Sequence, residues 1–403
     1  TERSIMKLFQ KLLLTPAVLG FFAPIAASAS EANLMDVSSY SQVDVEVTQD
    51  TFKPLSKKNP LLAGGEGLNQ SQSNDFDVDS FSATTTADFS SNFYFGSLDK
   101  DGTASATNFV FDYGVVLTSN ISENDSLVVE LESGNAEVLT DIDGTDTATE
   151  DLQIAGISYT KQFGDKLTVF MGSGGQAGSS LYDPACAYGG HTEVLEDCGV
   201  RVTNLDEGLG TAFGAKLDIG SGFSAAFGYE GQNGTAKGIA TKESTDAFGG
   251  QLAYAGDNFG IALGVSSIEN HNDASSNAID ADRGVTTSSS VSAYYQPDLE
   301  RFPSISVGME STHDDSAAAN DDKTTNYFVG LQFDEVGQGS LGAAFGSKAP
   351  EQENGDAEKM YEVFYSYNYA DGVTITPLMY VKENAAANVN DETGIFLKTS
   401  FNF

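Results

Sequence analysis

The strongest constraint on the fold is an alternation of apolar and polar residues that begins near Phe81 and continues to Phe403. Side chains of a β-strand point alternately to its two faces, so a period of two predicts strands with one apolar and one polar face. Sixteen such segments are predicted, at 81–89, 109–117, 127–131, 155–159, 167–171, 213–219, 223–229, 248–254, 259–265, 291–295, 305–309, 327–333, 341–345, 361–367, 373–381 and 395–403.

Short turns alternate with long acidic loops between these segments. An even number of strands joined in this way is typical of a transmembrane antiparallel up-and-down β-barrel, here with about sixteen strands and long external loops. A soluble β-sandwich would have to bury its apolar faces and protect its sheet edges, in a chain too long for one sandwich. The sequence therefore predicts an all-β fold, a closed barrel over residues 79–403.

The first residues carry the pattern of an export signal. Two lysines precede an apolar run, 12–25, that ends in Ala-Ser-Ala at 27–29. This order predicts a signal peptide over 1–29, with cleavage after its last alanine. Met6 is a candidate start, which would leave 1–5 untranslated.

Residues 30–78 show no clear period and are rich in Ser, Asn, Asp and Gln. This composition predicts a poorly ordered periplasmic segment that precedes the barrel. Beyond the signal, no stretch approaches the ~20 apolar residues that a transmembrane helix needs. Insertion into a membrane would therefore require a closed sheet, the other structure that satisfies the backbone in lipid.

The chain has 58 acidic and 20 basic residues and a formal net charge of −38. Nucleic acid is itself polyanionic, so this charge excludes a nucleic-acid partner. Most of the acidic residues lie in the predicted external loops.

The longest predicted loop, 173–208, joins the fifth and sixth segments and contains both cysteines of the chain. In an exported protein a pair this close favours a disulfide, which stabilises by about 3 kcal/mol. A metal site would need further ligands, and His191 is the only histidine between the cysteines. We expect the loop to fold inward as a pore constriction, and an outward-projecting surface loop is the alternative. The candidate constriction residues are Asp183, Cys186, Tyr188, Glu193, Glu196, Asp197, Cys198 and Arg201, with Cys186 and Cys198 as the disulfide.

Charged residues at the strand positions that alternate with the lipid-facing apolar residues are predicted to line the lumen. They are Asp88, Asp112, Glu130, Glu132, Lys216, Asp218, Glu230, Glu310, Glu362, Lys382 and Lys398. Their net charge is negative, and a charged aqueous channel concentrates counter-ions, so modest cation selectivity is expected. The alternative is that many of these charges lie at the rims, where salt screens them.

The last strand ends in a pattern that resembles the C-terminal signal of outer-membrane barrels, with Leu397, Phe401 and Phe403 on one face. No set of histidine, serine and carboxylate residues marks a catalytic centre. We therefore expect no enzymatic activity, no catalytic residues, no cofactor and no metal site.

Several segments resemble the porins of marine cyanobacteria, which are related to the carbohydrate-selective porin family. The resemblance is carried by 6–10, 156–159, 164–168, the cysteine loop 185–190 with 197–199, and 218–223. It implies a trimeric sixteen-stranded pore, and Cys186 and Cys198 match the paired cysteines of that loop. Longer relatives carry a surface-layer-homology module before the barrel, which residues 30–78 are too short to contain.

The resemblance implies an outer-membrane porin of a Gram-negative-type bacterium, through which small hydrophilic solutes and ions diffuse passively. Selective passage of carbohydrates and a surface barrel without an open channel are the alternatives. The expected partners are outer-membrane lipid and lipopolysaccharide, two further copies of the chain in a homotrimer, the outer-membrane assembly machinery, and the permeating solutes.

Overall fold

A computed structural model of the chain describes residues 84–403 except 101–105, 137–138, 140–141, 143–150, 174–176, 193–194, 196–197, 206–209, 233–237, 242–243, 272–281, 300–301, 316–322, 349–357 and 385–388. The predicted signal peptide and the segment 30–78 lie outside the described residues. The strands are β1 Thr85–Asp99, β2 Ala106–Ser122, β3 Asp125–Gly134, β4 Gln153–Phe163, β5 Leu167–Ser173, β6 Thr211–Gly220, β7 Phe223–Gly231, β8 Asp246–Ala255, β9 Phe259–His271, β10 Asp282–Tyr295, β11 Ser304–Asp314, β12 Lys323–Phe333, β13 Gly339–Lys348, β14 Glu358–Ala370, β15 Val373–Lys382 and β16 Glu392–Asn402. A short helix α1, Ala177–Leu181, and a 3₁₀ turn, Val202–Asn204, lie between β5 and β6.

Each strand pairs antiparallel with its neighbours in the chain, and β16 pairs with β1 to close the barrel. The closure places Phe403 beside Phe89, where the two backbones exchange hydrogen bonds of 2.8 and 3.0 Å and the rings stack at 5.8 Å. Phe401 packs edge-on against Phe93 at 6.0 Å. The predicted fold class, a closed all-β barrel of sixteen antiparallel strands, is confirmed.

The outer face of the barrel is apolar. Phe109, Leu263 and Val265 are 62%, 50% and 59% exposed, and apolar side chains of the same outward parity continue around the wall. Such a surface is stable against lipid and costly against water, so the barrel is a transmembrane one. Among the described residues, no helix is long and apolar enough to cross a membrane.

Each of the sixteen predicted segments overlaps one strand, although residues 81–83 of the first lie outside the described residues, and three strands depart instructively from the prediction. β1 extends to Asp99, past the predicted segment 81–89. The prediction stopped short because the inward-facing Tyr94 is aromatic like its neighbours Phe93 and Phe95, so the sequence shows no apolar–polar alternation there. A bulge in the pairing of β3 with β4 brings Ile154, rather than Ala155, to the outer face. β10 begins well before its predicted segment 291–295 because its hydroxyl-rich residues 286–290 pair with β9, beyond a register shift between Asp282 and Val285.

The interior of the barrel contains a hydrophobic core. Inward residues of β1, β2 and β12–β16 pack there with two segments that leave the wall, one after β3 and one between β5 and β6. The core residues include Tyr94, Tyr188, Leu139, Phe328, Phe364, Tyr380 and Phe396. A smaller cluster joins α1 to the inner face of β5–β9.

Candidate functional site

The segment between β5 and β6, which we call the inner loop (173–208), lies inside the barrel. Its hydrogen bonds go to side chains of β6, β7, β8, β10, β11, β12 and β14 that face away from the exposed apolar residues. A segment outside the wall could not reach this face. The inner loop therefore crosses the lumen.

Three buried carboxylates on the inner wall bind the inner loop, and the first is Glu230 on β7. Its side chain is 0% exposed, and its Oε1 accepts a hydrogen bond of 3.2 Å from the backbone N–H of Ala177. Ala177 is the first residue of α1, so this carboxylate lies at the start of the inner loop's helix. A buried carboxylate is costly without donors, and the backbone N–H supplies one.

The second carboxylate is Glu310 on β11, which is 1% exposed. It accepts hydrogen bonds from the backbone N–H groups of Val202 and Thr203, at 3.1 and 3.0 Å, and from the Thr203 hydroxyl at 3.1 Å. The same hydroxyl lies 2.5 Å from Ser290 Oγ on β10. Both oxygens of this carboxylate thus hold the 3₁₀ turn of the inner loop.

The third carboxylate is Glu362 on β14, across the barrel from β7. Its Oε1 accepts a hydrogen bond of 2.6 Å from the Tyr188 hydroxyl, and both of its oxygens accept from the backbone N–H of His191, at 3.1 and 3.2 Å. The Tyr188 ring packs between Phe328 and Phe364 at 5.5 and 5.7 Å. Glu230, Glu310 and Glu362 were predicted as lumen-lining charges, and in the structure they bind backbone of the inner loop.

Between these anchors, neutral side chains of the wall accept hydrogen bonds from the backbone N–H groups of every second residue of the inner loop. Asp183 donates to Gln251, Ala185 to Ser292, Ala187 to Ser306 and Gly189 to Gln332, at 2.6, 3.2, 2.9 and 2.8 Å respectively. Sequence reasoning missed these acceptors because it considered only charged residues. These acceptors lie at strand positions whose side chains point into the barrel, and that position was the available signal.

The predicted disulfide is confirmed, since Cys186 and Cys198 are bonded. Cys198 is completely buried, and its carbonyl oxygen lies directly over Gly308 of β11. A Cβ atom at Gly308 would lie 1.8 Å from that oxygen. Only glycine permits this close approach of the loop to the wall.

The other candidate constriction residues differ in how far they are exposed to solvent. Asp183 is exposed, and its carboxylate binds Lys216 Nζ at 2.5 Å and the Ser224 hydroxyl at 2.8 Å. Arg201 is exposed, whereas Tyr188 is 4% exposed and belongs to the interior core. Glu193, Glu196 and Asp197 lie outside the described residues.

The remaining predicted lumen charges all lie on strands. Asp112 accepts a hydrogen bond of 2.8 Å from Asn92, and Glu132 one of 3.1 Å from Gln153. Lys398 lies over the Tyr94 ring, 5.4 Å from its centroid. Among the other four, Asp88 and Asp218 are exposed, while Glu130 and Lys382 are half-buried.

A second segment also turns inward, immediately after β3. Ala136, Leu139 and Ile142 are 0–1% exposed and belong to the interior core together with the inner loop. These residues had been predicted to lie in an external loop between the segments 127–131 and 155–159. Their apolar side chains at a spacing of three were the signal for a compact turn packed on an apolar surface.

Burial within the lumen shifts the pKa of inner-loop groups, among them His191 and Tyr188. The pKa of the His191 imidazole is lowered to about 3, first by desolvation and second by the positive charge of Lys398. Its ring packs edge-on against Phe364 at 4.4 Å. Desolvation and the neighbouring Glu362 carboxylate raise the pKa of Tyr188, which keeps its hydroxyl a hydrogen-bond donor.

The described residues contain no group of three or more His, Cys, Asp or Glu side chains that could hold a metal ion. Backbone N–H groups along the inner loop are used in hydrogen bonds to the wall. The arrangement is suited to shaping an aqueous path through the barrel.

The chain was compared with known proteins by sequence and by structure. No family model matches it, and no curated protein matches it by sequence. The structure is similar to OprB of Pseudomonas putida, with a TM-score of 0.59, 12% identity, and coverage of 79% of this chain and 94% of OprB. It is also similar to the anion-selective porin of Comamonas acidovorans (TM-score 0.54, 16% identity, 79% and 99% coverage) and to OmpF of Salmonella typhi (0.52, 14%, 79% and 98%). These likenesses show that the chain has the fold of the bacterial outer-membrane porins.

Proposed function

We propose that the chain is an outer-membrane porin, a passive diffusion channel for small hydrophilic solutes and ions that is narrowed by the inner loop and is weakly cation-selective. The observation that carries the proposal is the binding of the inner loop inside a closed transmembrane barrel by buried Glu230, Glu310 and Glu362. A loop held at three points around the wall has a fixed position. A fixed position is what a constriction of constant width requires.

An aqueous path beside the loop is supported by the charges that remain exposed. Asp183 and Lys216 form a pair in which the side chains are 46% and 28% exposed, and Arg201 and Asp218 are exposed as well. Charged groups are stable only where water or a partner solvates them. Acidic residues slightly outnumber basic ones among the water-facing lumen charges, which supports weak rather than strong cation selectivity.

Single-channel recording in a planar bilayer tests the proposal directly. We expect steady ohmic steps from the folded barrel, with a reversal potential of cation-selective sign in a KCl gradient. Steps in groups of three would support a homotrimer, and liposome swelling with sugars of increasing size tests whether carbohydrates pass. A folded barrel with no conductance, or a reversal potential of anionic sign, would overturn the channel or its selectivity, respectively.

A surface barrel without an open channel is the second candidate, and the interior core favours it. Two segments of the chain and inward aromatic residues fill part of the lumen. If this core seals the barrel, the wild-type protein is silent in the bilayer, and Glu310→Ala, which releases the inner loop, restores conductance. If the channel is open, the same variant only raises a conductance that is already present.

A further inference from the structure

The outer wall of the barrel carries a groove where it is built from its shortest strand. β5 has 7 residues, and the groove crosses β3–β6 at this point. Its volume is about 540 Å³, and Ile239 of the β7–β8 connection also lines it. The lining residues that face outward from the strands are Leu127, Ile157, Tyr159, Met171, Thr211 and Phe213. This volume lies within the ~300–1,000 Å³ typical of ligand pockets.

The opposite end of the groove is polar. Asp125 pairs with Lys161 across β3 and β4, and the next outward pair along the same strands is Leu127 with Tyr159. The two pairs are therefore about 7 Å apart. Lys161 Nζ donates to Asp125 Oδ2 at 2.9 Å, and the Tyr159 hydroxyl donates to the same oxygen at 3.0 Å.

This polar end lies near the short turns of the barrel. The turns 123–124 and 164–166 adjoin Asp125 and Lys161, and the Lys161 ammonium lies 5.8 Å from the ring centroid of Phe163, which is 52% exposed. Aromatic residues with a nearby lysine are typical of the level at which a barrel meets lipid headgroups. A charged pair at this level faces headgroups rather than acyl chains.

We propose that the groove binds one phospholipid molecule, with an acyl chain along Leu127, Tyr159 and Met171 and the phosphate on Lys161. An ammonium has three N–H donors and Asp125 takes one of them, so donors remain for a phosphate oxygen. The site is thus largely apolar along its length and ends in an ion pair whose ammonium has N–H donors for the phosphate of a phospholipid. The inference depends on the transmembrane fold and is independent of conductance.

Quenching of a single tryptophan by brominated lipid tests the proposal, because the chain contains no tryptophan. Met171→Trp places the reporter in the groove, and Leu263→Trp on β9, where the wall is equally exposed, is the matched control. Each folded variant is titrated in maltoside micelles with phosphatidylglycerol that carries brominated acyl chains. Diacylglycerol with the same chains provides the comparison without phosphate.

We expect quenching of the groove reporter to saturate at a low lipid-to-protein ratio, with phosphatidylglycerol preferred over diacylglycerol, while the control reporter follows bulk lipid. Lys161→Gln should raise the half-quenching concentration about fivefold, the upper range for a solvent-exposed ion pair. Lys323→Gln, which removes another outward-facing lysine, should leave it unchanged. Phe213→Trp is a second reporter if the first variant fails to fold.

Two outcomes overturn the proposal. Equal, non-saturating quenching of both reporters would mean that the groove contacts only ordinary annular lipid. A groove reporter shielded from all lipid in an oligomer, but quenched after dissociation, would mean that a second copy of the chain covers the groove. Neither outcome bears on conductance, which is measured separately.

Discussion

Removal of the Glu310 carboxylate should detach the inner loop from the wall. Glu310→Ala eliminates the acceptor of two backbone N–H groups and one hydroxyl in a site that is almost fully buried. Each buried donor left without a partner costs about 1–3 kcal/mol, so the two N–H groups together cost about 2–6 kcal/mol. Since about 1.4 kcal/mol changes an equilibrium constant tenfold, even the lower value raises the detached population ~30-fold.

Trypsin cleavage after Arg201 reports this detachment, because the next residue, Val202, donates its N–H to Glu310. When opening and closing are fast, the cleavage rate follows the open population. We expect mass spectrometry to show cleavage at this bond at least ~30-fold faster in folded Glu310→Ala barrels than in wild type. Glu132→Ala is the matched control, because Glu132 bonds to Gln153 on the neighbouring strand. Equal rates for the wild type and Glu310→Ala would refute the idea that this carboxylate holds the loop.

Three further perturbations act on the same loop. Cys186→Ser opens a bridge between residues 12 apart and should destabilise the docked loop by about 3 kcal/mol, which the same cleavage assay measures, with reduction of the wild type as the comparison. Gly308→Ala places a Cβ against the carbonyl of Cys198 and should displace the loop, whereas Gly250→Ala makes only contacts of 3.5 Å or more and should not; single-channel conductance distinguishes them. The His191 pKa is about 3 in the docked loop against ~6.5 in an unfolded chain, so docking loses stability as pH falls below about 6.5, by about 2–3 kcal/mol at pH 4.5. His191→Phe should abolish that loss in cleavage rates measured across this range with an acid-active protease.

Strand positions were predictable because each strand must present apolar side chains to lipid at every second residue. This requirement is local, so it can be read without knowledge of the partner strand. The path of the inner loop was not predictable in the same way. Ala185, Ala187 and Gly189 donate to side chains 107, 119 and 143 residues away, and no local pattern shows which inward serine or glutamine will meet which N–H group.

The interior core, by contrast, has a local signal in the sequence. Apolar residues occur in unbroken triplets at 93–95, 327–329, 363–365 and 395–397. In each triplet the middle residue faces inward and is buried, as Tyr94, Phe328, Phe364 and Phe396 are. An inward aromatic side chain is costly in an aqueous lumen, so such triplets predict that another segment of the chain covers them.

The docking carboxylates also change which charges can set ion selectivity. Glu230, Glu310 and Glu362 have inward parity, but each is at most 3% exposed and accepts backbone N–H groups of the inner loop. The donors carry the opposite partial charge and separate the carboxylates from the aqueous path, so their field on permeating ions is weakened. Glu132, whose hydrogen bond lies in an exposed setting, keeps its full effect. We therefore expect Glu132→Gln to shift the reversal potential in a KCl gradient toward zero, and Glu310→Gln, which retains an acceptor oxygen, to shift it less. A larger shift from Glu310→Gln would mean that the buried carboxylates act on the ions directly.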